Sequence, residues 1–459
     1  MLLNFIKLYK IPLLFAILSI AFYIIFGYDL VRSDFIKLIS FYTALFFTAY
    51  LFIEKLRLNF WLLAAFGIVF RLIFIFAIPN LSQDFYRFLW DGRLMLQSIS
   101  PYLFTPSSSA ALGVTIEHSQ QLINGMGSLN ASHFSNYPPI NQLFFAIAAL
   151  FAGKNILGSV IILRVLVILA DVGILYFGKK LLEKLNLPIK NIFWYFLNPF
   201  IIIELTGNLH FEGVMLFFFV WALYLLFNGK WIGAAVLIAI SVSVKLIPLL
   251  FLPLFFKYFT KIIKSSQVSK TSEVSIIRLL GFYSIIGGIA LLTFLPFLSS
   301  EFVQHFSSTI ALWFQNFEFN ASIYYVIRWI GFQIVGWNLI ETVGMILPIL
   351  VLLFILALSF FRNNKTPQQL ITAMLFAISF YLLFSTTVHP WYVATPLLIT
   401  VFTKYKFPIV WSFMVMLSYS AYGENGFNER LWLVALEYMV VIGVAFWELF
   451  STKVKPVKF

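Results

Sequence analysis

The residues best suited to chemistry stand in one run, DFYRFLWDGRLMLQSISPY, from Asp84 to Tyr102. Wound as a helix, the run puts Asp84, Arg87 and Asp91 on one face, at spacings of three and four. A carboxylate so placed can take a proton from a hydroxyl, and the guanidinium beside it can pair with either acid. The run begins just after an apolar stretch ending near Pro79, so these charges sit next to a bilayer. Ionised groups there are costly enough to require a function.

The elements that must position them follow from composition. With 61% hydrophobic and 11% charged residues over 459 positions and a mean hydropathy of +0.95, a soluble domain is excluded. Apolar runs of roughly 15 to 25 residues alternate with short polar breaks, as crossings of a ~30 Å hydrocarbon core require, and no period-2 pattern suggests a barrel. The expected fold class is all-α: a polytopic transmembrane helical bundle, one integral-membrane domain over residues 1–459.

The net charge of +13 does not mark a nucleic-acid partner, because the bases cluster in short loops between apolar runs. Lys7 and Lys10, Lys55 and Arg57, Lys179 to Lys190, Lys257 to Lys270, Arg362 with Lys365, Lys404 with Lys406, and Lys453 to Lys458 read as cytoplasmic, facing anionic membrane lipid. No cysteine is present, which excludes disulfides and thiolate metal sites. The first apolar stretch lacks a small-residue cleavage site and reads as a retained span.

Spans near 11–27, 36–53 and 58–78 deliver residue 79 to the outer face. Residues 79–136 then form a long, polar first external loop, with a helix after Asp84, a turn at Ser100-Pro101-Tyr102 and a proline-limited re-entry at Tyr137-Pro138-Pro139. Loops of that length in compact proteins are usually functional. Lys179, Lys180, Lys184 and Lys190 need a single crossing before them, so 139–152 is expected to be a short interfacial or re-entrant helix. From 192 to 259 the apolar pieces are short and broken by Pro199, Gly207, Gly213, Gly229, Pro248 and Pro253, which suggests half-depth helices around a cavity. Residues 299–336 read as a second external segment, and the whole chain as about fourteen crossings. This topology brings Glu204, Asn208, His210, Glu212, Lys245, Asn320, Arg328, His389 and Trp391 to the same face as Asp84.

Several stretches, in order, carry a resemblance. SQDFYRFLWDGRLMLQSISPYLFTP, NYPPINQLFFAIAALF, FLNPFIIIELTGNLHFEG, SVSVKLIPLLFLP, NFEFNASIYYVIR and VHPWYVATPLL together resemble GT-C superfamily glycosyltransferases. The likeness is to bacterial polyprenol-phosphomannose-dependent mannosyltransferases and, more distantly, to the first mannosyltransferase of GPI-anchor synthesis. It extends from about residue 82 to about residue 400, and its specificity lies in the order of motifs that are individually weak. The resemblance implies a multi-pass enzyme of the cytoplasmic (inner) membrane with its site on the external, periplasmic face. It would move a hexose, mannose expected, from a polyprenyl-phosphate donor to a hydroxyl of a glycan or glycolipid acceptor, with inversion. The position matching the family's catalytic base is Asp84. Gln83 precedes it and the sequence reads Asp-Phe-Tyr, not Asp-x-Asp, so the paired-acid motif for a divalent metal cofactor is lacking. No metal ligand is assigned: His210 with Glu204 or Glu212 wants a third ligand at suitable spacing.

The chemistry assigns roles to the same residues. Inverting sugar transfer needs a carboxylate to take the acceptor proton and donors to stabilise the departing phosphate. Asp84 suits the first role, its bland alternative being an ion pair with Arg87. Asp91 is divided between a site role and holding Arg87 or Arg93. Lys245, between SVSV and LIPLLF with no evident partner, suits the phosphate, against snorkelling to the interface; Arg328 is the second candidate. His389, His210 with Glu212, and Asn320 are candidate sugar, phosphate or acceptor contacts, and Tyr102 and Tyr137 candidate cavity walls. Two other functions fit the same residues: the same fold with another lipid-linked sugar, such as an aminoarabinose, and a lipid-linked sugar transporter or flippase. The second would call for internal repeats, and the sequence shows none strong enough.

Overall fold

The computed structural model describes residues 9–56, 58–109, 113, 116–260, 270–424 and 426–451, and these are predominantly helical with almost no strand. Of the basic residues grouped above, Lys7, Arg57, Lys261, Lys264, Lys453, Lys455 and Lys458 lie outside the described residues.

Among the described residues six helices are long and apolar enough to cross a bilayer: Lys10–Tyr28, Phe35–Lys55, Ile156–Lys184, Ile276–Phe297, Ile340–Phe360 and Leu431–Phe450. A further pair, Pro199–Gly207 and Glu212–Phe227, would make a seventh span but is bent by 114°. Six shorter apolar helices complete the set among the described residues: Phe60–Leu72, Pro139–Ala152, Trp231–Val244, Ile247–Phe259, Pro367–Leu383 and Phe407–Ala421. At about 1.5 Å per residue, helices of this size reach roughly 20–25 Å, short of a ~30 Å core. The expectation of about fourteen crossings therefore meets six full-length helices, one bent pair and six short ones. Hydropathy registers an apolar run without registering where it bends.

Hydrogen bonds sort the loops into two ends. Asn80 donates to the carbonyls of Phe26 and Leu30, each at 2.8 Å, and Tyr28 to that of Ile73 at 2.8 Å. The Leu81 N–H donates to Asn208 Oδ1 at 3.1 Å. The top of the first helix, the exit from Phe60–Leu72 and the break before Glu212 thus share one end. The helix Ile156–Lys184, with 29 residues, leads from this end to the other. There Gln368 donates to the Leu185 carbonyl at 3.4 Å, Arg362 to that of Gln369 at 2.8 Å, and Lys257 to that of Arg362 at 3.0 Å. Lys184, Lys257 and Arg362 therefore gather at the end away from Asp84.

The run that begins at Asp84 forms helix Asp84–Leu96. It packs on Pro139–Ala152, a helix of 14 residues entered through an extended Pro138 and closed by Gly153 at φ +57. Phe88 stacks on Phe145 with centroids 4.5 Å apart. The contact also explains the glycine of WDGR, because a Cβ at Gly92 would lie 2.2 Å from the Phe145 carbonyl oxygen. Gly92→Ala is expected to push the two helices apart at a cost of about 1–3 kcal/mol, read as a lower thermal midpoint in detergent. Gly443→Ala, with open space around it, should leave the midpoint unchanged; equal midpoints for both variants would refute the close approach.

Candidate active site

Asp84 is the first residue of its helix, and its N–H donates to the Oγ of Ser82, two positions earlier, at 3.3 Å. Its carboxylate is half-buried and, among the described residues, has no side-chain hydrogen bond and no salt bridge. The ion pair with Arg87 entertained from sequence does not form: Arg87 turns to Asp91, with Nε 2.8 Å from Oδ1. Asp84 lies outside the membrane-spanning helices, where burial pushes its carboxyl up to about 6. Lys245 and Arg32 oppose that rise and Glu212 adds to it.

The neighbours of Asp84 come from broken helices. Helix Trp231–Val244 ends where Lys245 turns extended, at φ −149 and ψ 142, and the chain restarts as a 3₁₀ segment with Pro248 in its first turn. Small side chains let this helix sit close to its neighbours: Ser241 donates to the Met215 carbonyl at 2.7 Å, and Ser243 meets Thr293 at 3.0 Å. Lys245 is not the isolated lysine expected from sequence. It is paired with Glu212, the fully buried first residue of Glu212–Phe227. The two lie 33 positions apart, and the partnership exists only because the break at 207–212 aims Glu212 at the end of the next helix. Leu209 in that break has a φ of +63, strain that a non-glycine residue bears only when packing fixes it.

Aromatic residues enclose the charges. His210 and His389 both stack on Trp391, with centroids 3.6 and 4.6 Å away. His210 Nε2 also lies 3.8 Å from Glu204, whose other oxygen accepts from Tyr419 at 2.7 Å. Tyr392 presents its ring 6.0 Å from the Lys245 ammonium. Tyr137 stands edge-on to Phe88 and Phe145, and both Tyr137 and Tyr392 lie within the field of Asp84.

Other residues named from sequence stand in supporting contacts. Arg87 donates to the carbonyls of His133 at 2.8 Å and Asn130 at 3.3 Å, while Asp91 accepts from Ser135 at 2.5 Å and Gln142 at 2.9 Å. This buried clasp ties the end of the 79–136 loop to its first helix. Tyr102 is buried among Phe297, Phe302 and Phe306 and donates to the Tyr137 carbonyl at 2.7 Å. Asn320 adopts a φ of +47, and its N–H reaches Glu429 at 2.7 Å and its amide Glu437 at 3.3 Å. Arg328 pairs with Glu318 and lies 4.3 Å from the Tyr325 ring centroid, in a neighbouring group of its own. Among the described residues no group of three or more His, Asp or Glu is arranged to hold a metal ion.

Arg32 was missed by the sequence reading. It lies in the short link between Lys10–Tyr28 and Phe35–Lys55, over the Tyr422 ring at 3.3 Å, and bears electrostatically on Asp84, Glu204, His210 and His389. One signal could have found it: by the charge rule that makes the other basic clusters cytoplasmic, this arginine falls on the wrong side.

A polytopic helical membrane enzyme, with an unpaired carboxylate and cations at one end of the bundle, is the class this arrangement fits. Residues 34–261 match the model of the MptA_B family, described as alpha-(1->6)-mannopyranosyltransferase, N-terminal domain. The chain is also similar to alpha-(1->6)-mannopyranosyltransferase A of Mycobacterium tuberculosis, 21% identical over 172 residues, covering 37% of this chain and 32% of that protein. The chain thus matches about a third of that relative's length. Both likenesses are to mannosyltransferases. The family match contains Arg32's neighbours in sequence from residue 34 onward, together with Asp84, His210, Glu212 and Lys245.

The Lys245–Glu212 pair makes a prediction of its own. Lys245→Met leaves a buried carboxylate without its counter-charge, and Glu212→Gln leaves the ammonium without one. Each is expected to cost about 3–5 kcal/mol, and the double variant clearly less than the sum, measured by unfolding in detergent. Additive losses would mean that the two charges do not depend on one another.

Proposed function

We propose that this protein transfers mannose from a polyprenyl-phosphate donor to a hydroxyl of a glycan or glycolipid acceptor, with inversion at the anomeric carbon. Asp84 takes the acceptor proton as the acceptor oxygen attacks that carbon. The bond to the phosphate oxygen breaks on the opposite face, and the lipid phosphate leaves toward Lys245. Tyr137, His210, Glu212, Asn320 and His389 line the approach of sugar and acceptor, Arg328 stands beside them with Glu318, and Arg87, Asp91 and Tyr102 hold the loop that presents Asp84. The basic loops at the far end face the cytoplasm. That puts the site on the external side of the inner membrane, within reach of a lipid-borne sugar and a periplasmic acceptor.

The observation that carries this reading is the state of Asp84: a half-buried carboxylate with no protein partner, next to a cation held by a different acid. A structural carboxylate in so apolar a setting would be expected to own its counter-charge. Here the guanidinium nearest in sequence is taken by Asp91 and the ammonium by Glu212, which leaves Asp84 free to accept a proton.

Asp84→Asn keeps the shape and removes the base. With purified polyprenyl-phosphate mannose and a lipid-linked glycan acceptor, the variant is expected to lose at least about 100-fold in turnover while keeping the wild-type thermal midpoint. Undiminished transfer by a folded Asn variant would refute the assignment, and a donor panel with other sugars would test the preference for mannose. The pH profile follows from the same group. The base works only when ionised, so wild-type turnover should climb about tenfold per pH unit below about 6 and level off above it. A flat profile between pH 5 and 8 would mean that another group takes the proton.

A further inference from the structure

The arginines near this end of the bundle differ in what they do with their donors. Arg71 donates to the carbonyls of Gly67 and Phe196 and pairs with Asp171. Arg87 reaches His133 and Asn130, Arg93 reaches the Glu117 and Lys154 carbonyls, and Arg164 reaches three carbonyls of two helix ends. All four staple backbone. Among the described residues Arg32 makes no hydrogen bond and no salt bridge; its buried Nε has no acceptor, and its contact is the Tyr422 ring face, 3.3 Å from the guanidinium carbon.

Stacking on an aromatic face holds a guanidinium plane in place while leaving its edge, with all five N–H groups, open to a ligand. The edge here is not directed to a protein carboxylate, although Asp84 and Glu204 both lie within its field. Tyr422 begins a short hairpin, Tyr422–Gly423 paired with Gly426–Phe427, and both Tyr422 and Phe427 pack near Phe319, which in turn packs on His389. Arg32 thus approaches the His389–Trp391–His210 stack from the opposite end of the sequence to Lys245, and both cations act on Asp84, His210 and His389. Lys245 is already neutralised by Glu212. A departing phosphate with two negative charges needs more positive charge than that pair supplies, and a planar fork matches phosphate oxygens where an ammonium offers a point charge.

We infer that Arg32, held flat by Tyr422, is the principal phosphate-binding group of the site and grips the phosphate of the lipid donor and of the released lipid carrier. The inference rests on the lipid-phosphate reading above and adds to it a residue from the first interhelical link. That link would then belong to the donor site instead of being a mere connection between two spans.

Binding separates this inference from the proposed reaction. Purified protein in nanodiscs is titrated with undecaprenyl phosphate, and with undecaprenol as the uncharged control. Wild type should bind the phosphate far more tightly than the alcohol. Arg32→Gln should weaken phosphate binding roughly 10- to 100-fold, as expected for a lost charge-assisted contact, and leave alcohol binding unchanged. Arg32→Lys should recover part of the loss. Tyr422→Phe, which keeps a ring, should bind as wild type, and Tyr422→Ala should fall between. Thermal midpoints of each variant separate misfolding from lost contact. If Arg32→Gln is folded and binds undecaprenyl phosphate as wild type does, the inference about Arg32 is overturned while the donor reading stands. If wild type itself does not distinguish phosphate from alcohol, the lipid-phosphate donor is overturned and the role of Arg32 with it.

Discussion

A helix broken inside a bilayer frees carbonyl groups that no water is present to bond, and each one left bare costs several kcal/mol. In this protein the repair is made by arginine. Arg164, buried in the long helix Ile156–Lys184, donates to the carbonyls of Thr206 at 2.8 Å, Gly207 at 2.8 Å and Ile75 at 3.1 Å. One side chain thus closes the end of the π-helical turn Ile202–Gly207 and the exit from Phe60–Leu72. Arg71 donates to the Phe196 carbonyl, just before the bent pair, and to Gly67 one turn back in its own helix, with Asp171 as its buried counter-charge.

The candidate site is a consequence of that repair. The break stabilised by Arg164 turns Glu212 toward Lys245, sets His210 on Trp391 and leaves Asn208 to accept from Leu81, three residues before Asp84. The short helices reported by the structure are therefore the means by which backbone and side chains from distant segments reach one end of the bundle. Straight spans would have carried the same residues past one another. The clasp of Arg87, Asp91, Ser135 and Gln142 performs the matching task for the loop, holding the helix Asp84–Leu96 against Pro139–Ala152 so that Asp84 itself needs no partner.

Charge is distributed with the same economy. Nearly every arginine and acid near the site is committed to the backbone or to one another: Arg87 with Asp91, Lys245 with Glu212, Arg328 with Glu318, and Glu429 with Asn320 and Tyr325. Asp84 and Arg32 are the exceptions, an acid and a cation whose side chains have neither a hydrogen bond nor an ion pair among the described residues, standing in one another's field. In a low-dielectric setting such groups interact over longer distances than in water, and they are the ones able to respond to a substrate.

Composition alone determined that the chain is an all-helical membrane protein, because an apolar content this high can be solvated only by lipid. The helix after Asp84 and the short helix at 139–152 were also legible, the first from helical spacing and the second from its proline-limited entry and the basic cluster that follows. The motif order carried the likeness to mannosyltransferases, later supported by the family match over residues 34–261. Pairing was not legible. Sequence spacing left Arg87 open to Asp84 or Asp91, and only the fold chose Asp91; it left Lys245 alone when the fold gave it Glu212, and passed over Arg32 altogether. Side chains dozens to hundreds of positions apart meet only after helices bend, and the bends depend on donors such as Arg164 that lie on other helices. The tertiary structure therefore decided which charges cancel and which stay available.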